Sequence, residues 1–214
     1  MKIIVLATGE QQEEFRLKAL PDAAEIFFFT DVNQLKSVNP AYVIFDLCFE
    51  PSAERIEILS SFNKPVLINS VVNSLKALGL PENFIRINAW PGFLKRYLVE
   101  VAIGFESQKK TIDTVFQLLQ WPYQITADTP GMISARVIAM IINEAYFALD
   151  EEVSSKNEID IAMKLGTNYP YGPFEWSEKI GLTNIFKLLQ KLNSTSTRYA
   201  IAPLLEKEAK ALAK

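Results

Sequence analysis

Up to about residue 104 the chain alternates between short apolar runs and polar segments. The runs cover 3–7, 26–29, 42–49, 66–68 and 84–90, and they are rich in β-branched and aromatic side chains. Unbroken runs of this kind suit strands covered on both faces, whereas a half-exposed strand would alternate apolar with polar. Between them the spacing predicts helical pieces over 11–20, 33–38, 53–62 and 73–80. Strand–helix alternation joins neighbouring strands in parallel through right-handed crossovers, so the class is α/β. The short connections imply a trimmed, Rossmann-like parallel sheet domain, assigned to residues 1–104.

Beyond residue 105 the period changes to that of helices, and residues 105–214 are assigned to an all-α domain. One helix spans 110–120 and stops at Trp121-Pro122. An extended piece at 124–127 leads into "DTPG" and a long helix over 132–152. In that helix Ile133, Val137, Ile141, Ala145 and Ala148 recur at spacings of three or four, which makes one apolar stripe. Ser155 and Glu158 fit a capping box that opens a helix over 159–165, stopped by Gly166. Further helices are expected over 175–180, 184–192 and 203–213.

Composition narrows the chemistry. Of 214 residues none is histidine and one, Cys48, is cysteine. The usual base near neutral pH and the commonest metal ligand are therefore absent, and intramolecular disulfides are excluded. No metal site is expected, and Cys48, in a buried-type strand, reads as core. The net charge of −3 gives no reason to bind a polyanion. No apolar stretch is long enough to span a bilayer and no cleavage signal follows the first run, so cytoplasmic residence is the default.

Residues 3–15, "IIVLATGEQQEEF", have the outline of a dinucleotide-binding turn. Such a turn needs one glycine for its tightness, one for backbone approach to the pyrophosphate and one for helix–strand packing. Those positions read Ala7, Gly9 and Gln12, so only the middle glycine is kept. Glu10 adds a negative charge where phosphates would sit. Asp31 follows the second run, 22 residues after Gly9, at the distance suited to a ribose hydroxyl. An N-cap aspartate reads equally well there. Gly9 and Asp31 are the candidate cofactor residues.

Segments 128–149, "DTPGMISARVIAMIINEAYFAL", and 157–182, "NEIDIAMKLGTNYPYGPFEWSEKIGL", closely resemble the C-terminal helical domain of the 3-hydroxyacyl-CoA dehydrogenases. That family carries a DTPGF-type turn, a long helix containing NEA, then DIDxAMKLGxxYPMGPFE and a GL pair. Asp128, Pro130, Gly131, Asn143, Glu144, Asp160, Lys164, Gly166, Gly172, Pro173 and Glu175 are among the matching residues, and "RYAIAPLL" (198–205) continues the match. Gly166, Pro170, Gly172 and Pro173 are expected to force a tight corner between helices.

The resemblance extends to the first half, where "LVEV" (98–101) is kept and the family's HFFNP becomes "NAWPG" (88–92). In the family a histidine takes the proton of the substrate's 3-hydroxyl while hydride leaves to NAD, and a glutamate twelve residues later orients the imidazole. Glu100 keeps the glutamate position and Asn88 replaces the histidine. An asparagine side chain can hydrogen-bond a substrate oxygen but has no proton affinity near neutral pH. Ser70 and Asn73 fall in the substrate-binding segment, with Asn73 at the family's serine. Val71 stands at a cofactor-facing asparagine, and Ala135 at an asparagine of the long helix.

The resemblance therefore implies a family member with lost or severely impaired hydride transfer, acting as a ligand-binding or dimeric partner protein. The alternative is an active NAD-dependent 3-hydroxyacyl-CoA dehydrogenase of fatty-acid metabolism, with NAD as cofactor only in that case. A third reading leaves Glu100 to act alone as a base. A homodimer through the helical domain is implied, with an acyl-CoA-like ligand or an active paralogue as further partner. Each site residue also has a plain structural reading: Glu100 paired with Arg86 or Arg96, Asn88 satisfying local backbone, Trp90 and Phe93 as core.

Overall fold

A computed structural model describes residues 1–38 and 41–212. The chain divides into two compact units, Met1–Met132 and Ile133–Lys214.

The first unit is built on seven strands, β1 (Lys2–Leu6), β2 (Glu25–Phe29), β3 (Val43–Asp46), β4 (Val66–Asn69), β5 (Phe84–Ile87), β6 (Val99–Ala102) and β7 (Tyr123–Thr126). Their order is β2-β1-β3-β4-β5-β6-β7, parallel except where β5 meets β6. Four helices accompany them: α1 (Gly9–Arg16), α2 (Ala53–Ser61), α3 (Leu75–Leu78) and α4 (Gln108–Leu119), with a 3-10 turn over Val32–Ser37. Alternate residues of each central strand face opposite ways. Ile3, Val5, Phe45 and Leu67 pack on one face with Phe15 of α1 and Phe116 of α4. Ile4, Leu6, Ile44, Val66 and Ile68 pack on the other with Leu35, Leu59 of α2 and Leu75 of α3. Both faces of β1, β3, β4 and β5 are covered, which is why those runs are unbroken; β2, expected to be covered as well, is the edge strand and has no buried residue.

The five expected strands are present, β7 falls on the extended piece expected at 124–127, and β6 is additional. β6 carries Glu100 at its middle and is four residues long, so it does not read as an apolar run. β7 pairs in parallel with β6, Val99 opposite Tyr123 through Ala102 opposite Thr126. The stretch 105–132 therefore stays with the sheet, and α4 buries Ile112, Val115, Phe116 and Leu119 against it. The compact units part after Met132, later than the boundary at residue 104 expected from the change of period.

The second unit holds α5 (Ser134–Asp150), α6 (Lys156–Thr167), α7 (Pro173–Ile180), α8 (Leu182–Asn193) and α9 (Pro203–Leu212). The expected end of the last helix at Ala213 lies outside the described residues. α5 buries Ala135, Ile138, Ala139, Ile142, Ala145 and Tyr146. The expected stripe is thus not the core face: Ile133 and Val137 are half exposed, 53% and 50%, and only Ala145 belongs to both sets. A helix apolar on two sides offers the periodicity two solutions, and the packed one includes small residues that the stripe omits.

The motif residues of this unit explain themselves as architecture. Asn143 donates to the Ala200 carbonyl at 2.8 Å and accepts from the Ala202 N–H at 2.9 Å, which fixes the chain before α9. Ser155 and Glu158 form the expected capping box of α6. That helix runs through Gly166 to Thr167 and is ended by Asn168 in the left-handed region. Asp160 of α6 accepts from the Phe174 and Glu175 N–H groups at 2.8 and 3.1 Å and so caps α7. Gly172 is required there because a Cβ would overlap the Asp160 carboxylate.

Candidate functional site

In an open α/β sheet ligands bind at the carboxyl ends of the strands, at the point where successive connections go opposite ways. Here that point lies between β1 and β3. Thr8 and Gly9 follow β1, and Leu47 follows β3. A Cβ on Gly9 would meet nothing within 4 Å, so packing does not demand a glycine. Glu10 is exposed in the first turn of α1.

The polar groups around this turn already have partners. The Gln11 Oε1 accepts from the Thr8 N–H at 2.8 Å, and its Nε2 donates to the Leu47 carbonyl at 2.8 Å. The Gln12 Nε2 donates to the Ala7 carbonyl at 3.1 Å. Asp31 accepts from the Asn33 N–H at 2.8 Å, capping the turn that follows β2. Of the two readings open for Asp31, the cap is the one this geometry adopts.

Further along the same edge, β5 ends at Ile87 opposite Val101 of β6. One step on, the Asn88 N–H donates to the Glu100 carbonyl at 3.1 Å. Directly opposed residues of an antiparallel pair project to the same face, so Asn88 and Glu100 share a side of the sheet. Asn88 is 3% exposed, and its Nδ2 has no hydrogen-bond partner among the described residues. Its Oδ1 accepts a long bond of 3.4 Å from the Trp90 N–H. A buried carboxamide N–H without an acceptor is costly in a finished core.

Arg96 supplies the positive charge near Glu100: burial lowers its pKa, while the charges of Glu100 and Glu14 act the other way. Arg86, the other cation considered for Glu100, turns elsewhere. It is fully buried and donates to Asp128 at 2.5 Å and to the Ser70 and Val71 carbonyls at 2.6 and 3.1 Å. Asp128 in turn caps α3 through the Leu75 and Lys76 N–H groups at 3.0 and 3.1 Å. Ser70 donates its hydroxyl to the Asn73 carbonyl at 3.0 Å. By the β4–β5 register Ser70 follows the Asn69–Ile87 pair, as Asn88 does.

The residues around Asn88 are held from α1 and from the turn after it. Glu14 accepts from the Gly92 and Lys95 N–H groups at 2.9 and 3.0 Å, and Lys18 donates to the Arg96 carbonyl at 2.7 Å. Burial lowers the Lys18 pKa. Trp90 and Phe93 are buried, 5% and 3% exposed, as core aromatics. Cys48 lies beside the Asp46–Arg55 ion pair, with bonds of 2.6 Å from both Arg55 nitrogens to the carboxylate. Burial first and the Asp46 charge second push its thiol up, away from nucleophilic use. No cluster of metal-ligating side chains occurs among the described residues, nor any helix long and apolar enough to cross a membrane.

Sequence reasoning missed Gln11, Glu14, Lys18 and Asn69 as determinants of this edge. For Gln11 a signal existed, since Thr8 followed three residues later by glutamine is a capping-box pattern. The other contacts span too much chain for local patterns to disclose.

Residues 131–213 match the model of the 3-hydroxyacyl-CoA dehydrogenase C-terminal domain. The chain is similar to a 3-hydroxybutyryl-CoA dehydrogenase of Clostridioides difficile, 33% identical over 186 residues, which covers 85% of this chain and 63% of that protein. It thus spans less than two thirds of that relative's length. A Deinococcus radiodurans protein named probable 3-hydroxybutyryl-CoA dehydrogenase is 30% identical over 231 residues, covering 98% of this chain and 80% of that one. In fold the chain resembles the crystal structure of (S)-3-hydroxybutyryl-CoA dehydrogenase from Ralstonia eutropha, with a TM-score of 0.71 at 20% identity, covering 98% and 93% of the two chains.

Proposed function

The chain belongs to the 3-hydroxyacyl-CoA dehydrogenase family, and we propose that it is a member with lost or severely impaired hydride transfer, acting as a ligand-binding or dimeric partner protein. One observation carries the reading. The position opposite Glu100 is held by Asn88, a carboxamide that cannot accept a proton in the working range. The chain has no histidine to stand in for it. General acid–base assistance is worth roughly two to four decades of rate, so hydride transfer without it would be slow.

The cofactor edge argues the same way. The diphosphate of NAD would sit at the N-terminus of α1, yet there Gln11 takes the Thr8 N–H and Glu10 puts a carboxylate beside it. Asp31 is turned to its own cap. These residues do not fit a dinucleotide diphosphate, and no chemical step is assigned to one.

What remains suited to a ligand is the Asn88 end. Its unpartnered Nδ2 can donate to a carbonyl oxygen, as in the 3-keto or thioester group of an acyl-CoA-like molecule. Ser70 and Asn73 are proposed to flank that oxygen. Homodimerisation is proposed through the helical unit, where Ile133 just before α5, Val137 on α5, and Ile161 and Leu165 on α6 expose apolar surface. Association with an active paralogue would use the same surface, and cytoplasmic residence is part of the proposal.

The test combines NADH with acetoacetyl-CoA, following loss of NADH absorbance together with thermal shift. The reading expects no turnover and a stabilising shift with the CoA ester alone. Turnover would instead establish the alternative, an active NAD-dependent dehydrogenase of 3-hydroxyacyl-CoA esters.

A further inference from the structure

Four strand ends along the carboxyl edge are joined by one unbroken series of hydrogen bonds. The Thr8 N–H, after β1, donates to the Gln11 Oε1 at 2.8 Å, and the Gln11 Nε2 donates to the Leu47 carbonyl, after β3, at 2.8 Å. The same carbonyl accepts from the Asn69 Nδ2 of β4 at 3.0 Å, and the Asn69 Oδ1 accepts from the Ala89 N–H, after β5, at 3.1 Å. Two carboxamides thus lace the ends of β1, β3, β4 and β5. The Gln11 link crosses the point between β1 and β3 where an open sheet of this order admits a ligand.

We infer that Gln11 is a built-in occupant of this crevice, competing with any dinucleotide diphosphate for the sheet edge. The inference rests on the proposed loss of cofactor use and names the side chain that enforces it. Gln11 presents an oxygen to the Thr8 N–H, as a phosphate oxygen would. It also gives the Leu47 carbonyl a donor, which an ionised diphosphate cannot do. A diphosphate entering here must therefore displace both bonds and set its own charge beside a carbonyl that already points into the edge. Next to the far end of the series the buried Asn88 Nδ2 has no acceptor among the described residues.

The experiment compares two proteins in a common background that removes the nearby charge, Glu10→Ser alone and Glu10→Ser with Gln11→Ala. NADH is titrated by its fluorescence, and exchange of the Thr8 amide proton is followed by NMR. The second protein is expected to bind NADH at least about tenfold more tightly, the scale of losing one or two competing hydrogen bonds. Its Thr8 amide exchanges faster without NADH and slows again when NADH is added. Gln11→Met, which keeps the side-chain length but makes neither bond, is expected to show the same quickened exchange in a folded protein. Equal NADH affinities within the pair, including no binding by either, overturn the role of Gln11, as does slow Thr8 exchange in the methionine variant. Tight NADH binding by the unaltered chain overturns the proposed loss of cofactor use, a separate result.

Discussion

Asn88 and Glu100 stand opposite one another just beyond the last paired residues of two antiparallel strands, joined by the Asn88 N–H and the Glu100 carbonyl at 3.1 Å. The backbone pairing brings the two positions side by side on one face of the sheet. Asn88→His alone is therefore expected to fold and to place a titratable ring beside Glu100. It is expected not to restore NADH oxidation, because the edge between β1 and β3 stays laced. Absorbance at saturating acetoacetyl-CoA and high NADH checks this; recovered turnover would show that the cofactor edge was never closed.

Arg86 and Asp128 anchor the turn after β4 to the turn before α5. Removing one partner of a buried ion pair typically costs about 3–5 kcal/mol. Arg86→Met is expected to lose stability on that scale in urea unfolding. Arg86→Lys is expected to recover little, since a lysine amine cannot serve the Asp128, Ser70 and Val71 oxygens together.

Gly172→Ala is expected to destabilise the helical unit by about 1–3 kcal/mol, the usual scale of overpacking. The added Cβ would displace Asp160 and with it the cap of α7. Thermal unfolding of this variant beside Asp160→Ala tests it, since both should lose the same cap.

Much of this was legible in the sequence and some was not, for identifiable reasons. β1, β3, β4 and β5, buried on both faces, announce themselves by composition, as does the corner from Asp160 to Glu175, where glycine and proline leave few conformations; β2 has an apolar run too but lies at the sheet edge with Phe27 39% exposed. β6 escaped because a glutamate interrupts its four residues, and with it the membership of α4 and β7 in the sheet. The core face of α5 was misjudged because that helix is apolar on two sides. The lacing by Gln11 and Asn69 and the links from Glu14 and Lys18 depend on residues brought together only by folding.

Glu208 is expected to set part of the acid sensitivity of the helical unit. Burial pushes its carboxyl up, but hydrogen bonds from Lys156 and Tyr146 outweigh this and hold it below the ordinary value. A folded-state pKa below the unfolded one gives stability that is present above the unfolded pKa and lost as pH falls through the folded pKa. Melting temperature is therefore expected to fall below the usual glutamate range, near pH 4. Glu208→Gln should lower it at neutral pH and flatten that acid limb.

Val137 is half exposed on α5 and Leu165 is 82% exposed on α6. If the helical unit makes the proposed dimer, Val137→Lys or Leu165→Glu should yield a folded monomer by analytical ultracentrifugation. A monomeric unaltered chain would remove that part of the proposal.

The central claim is that a site with a carboxamide in place of the base does not move hydride at a useful rate. It is tested most directly by incubating the protein in excess over acetoacetyl-CoA with NADH carrying deuterium at the transferable position. Mass spectrometry then reads deuterium at carbon 3 of any 3-hydroxybutyryl-CoA formed. The account predicts no label above a protein-free control, whereas stoichiometric labelling within seconds would contradict it.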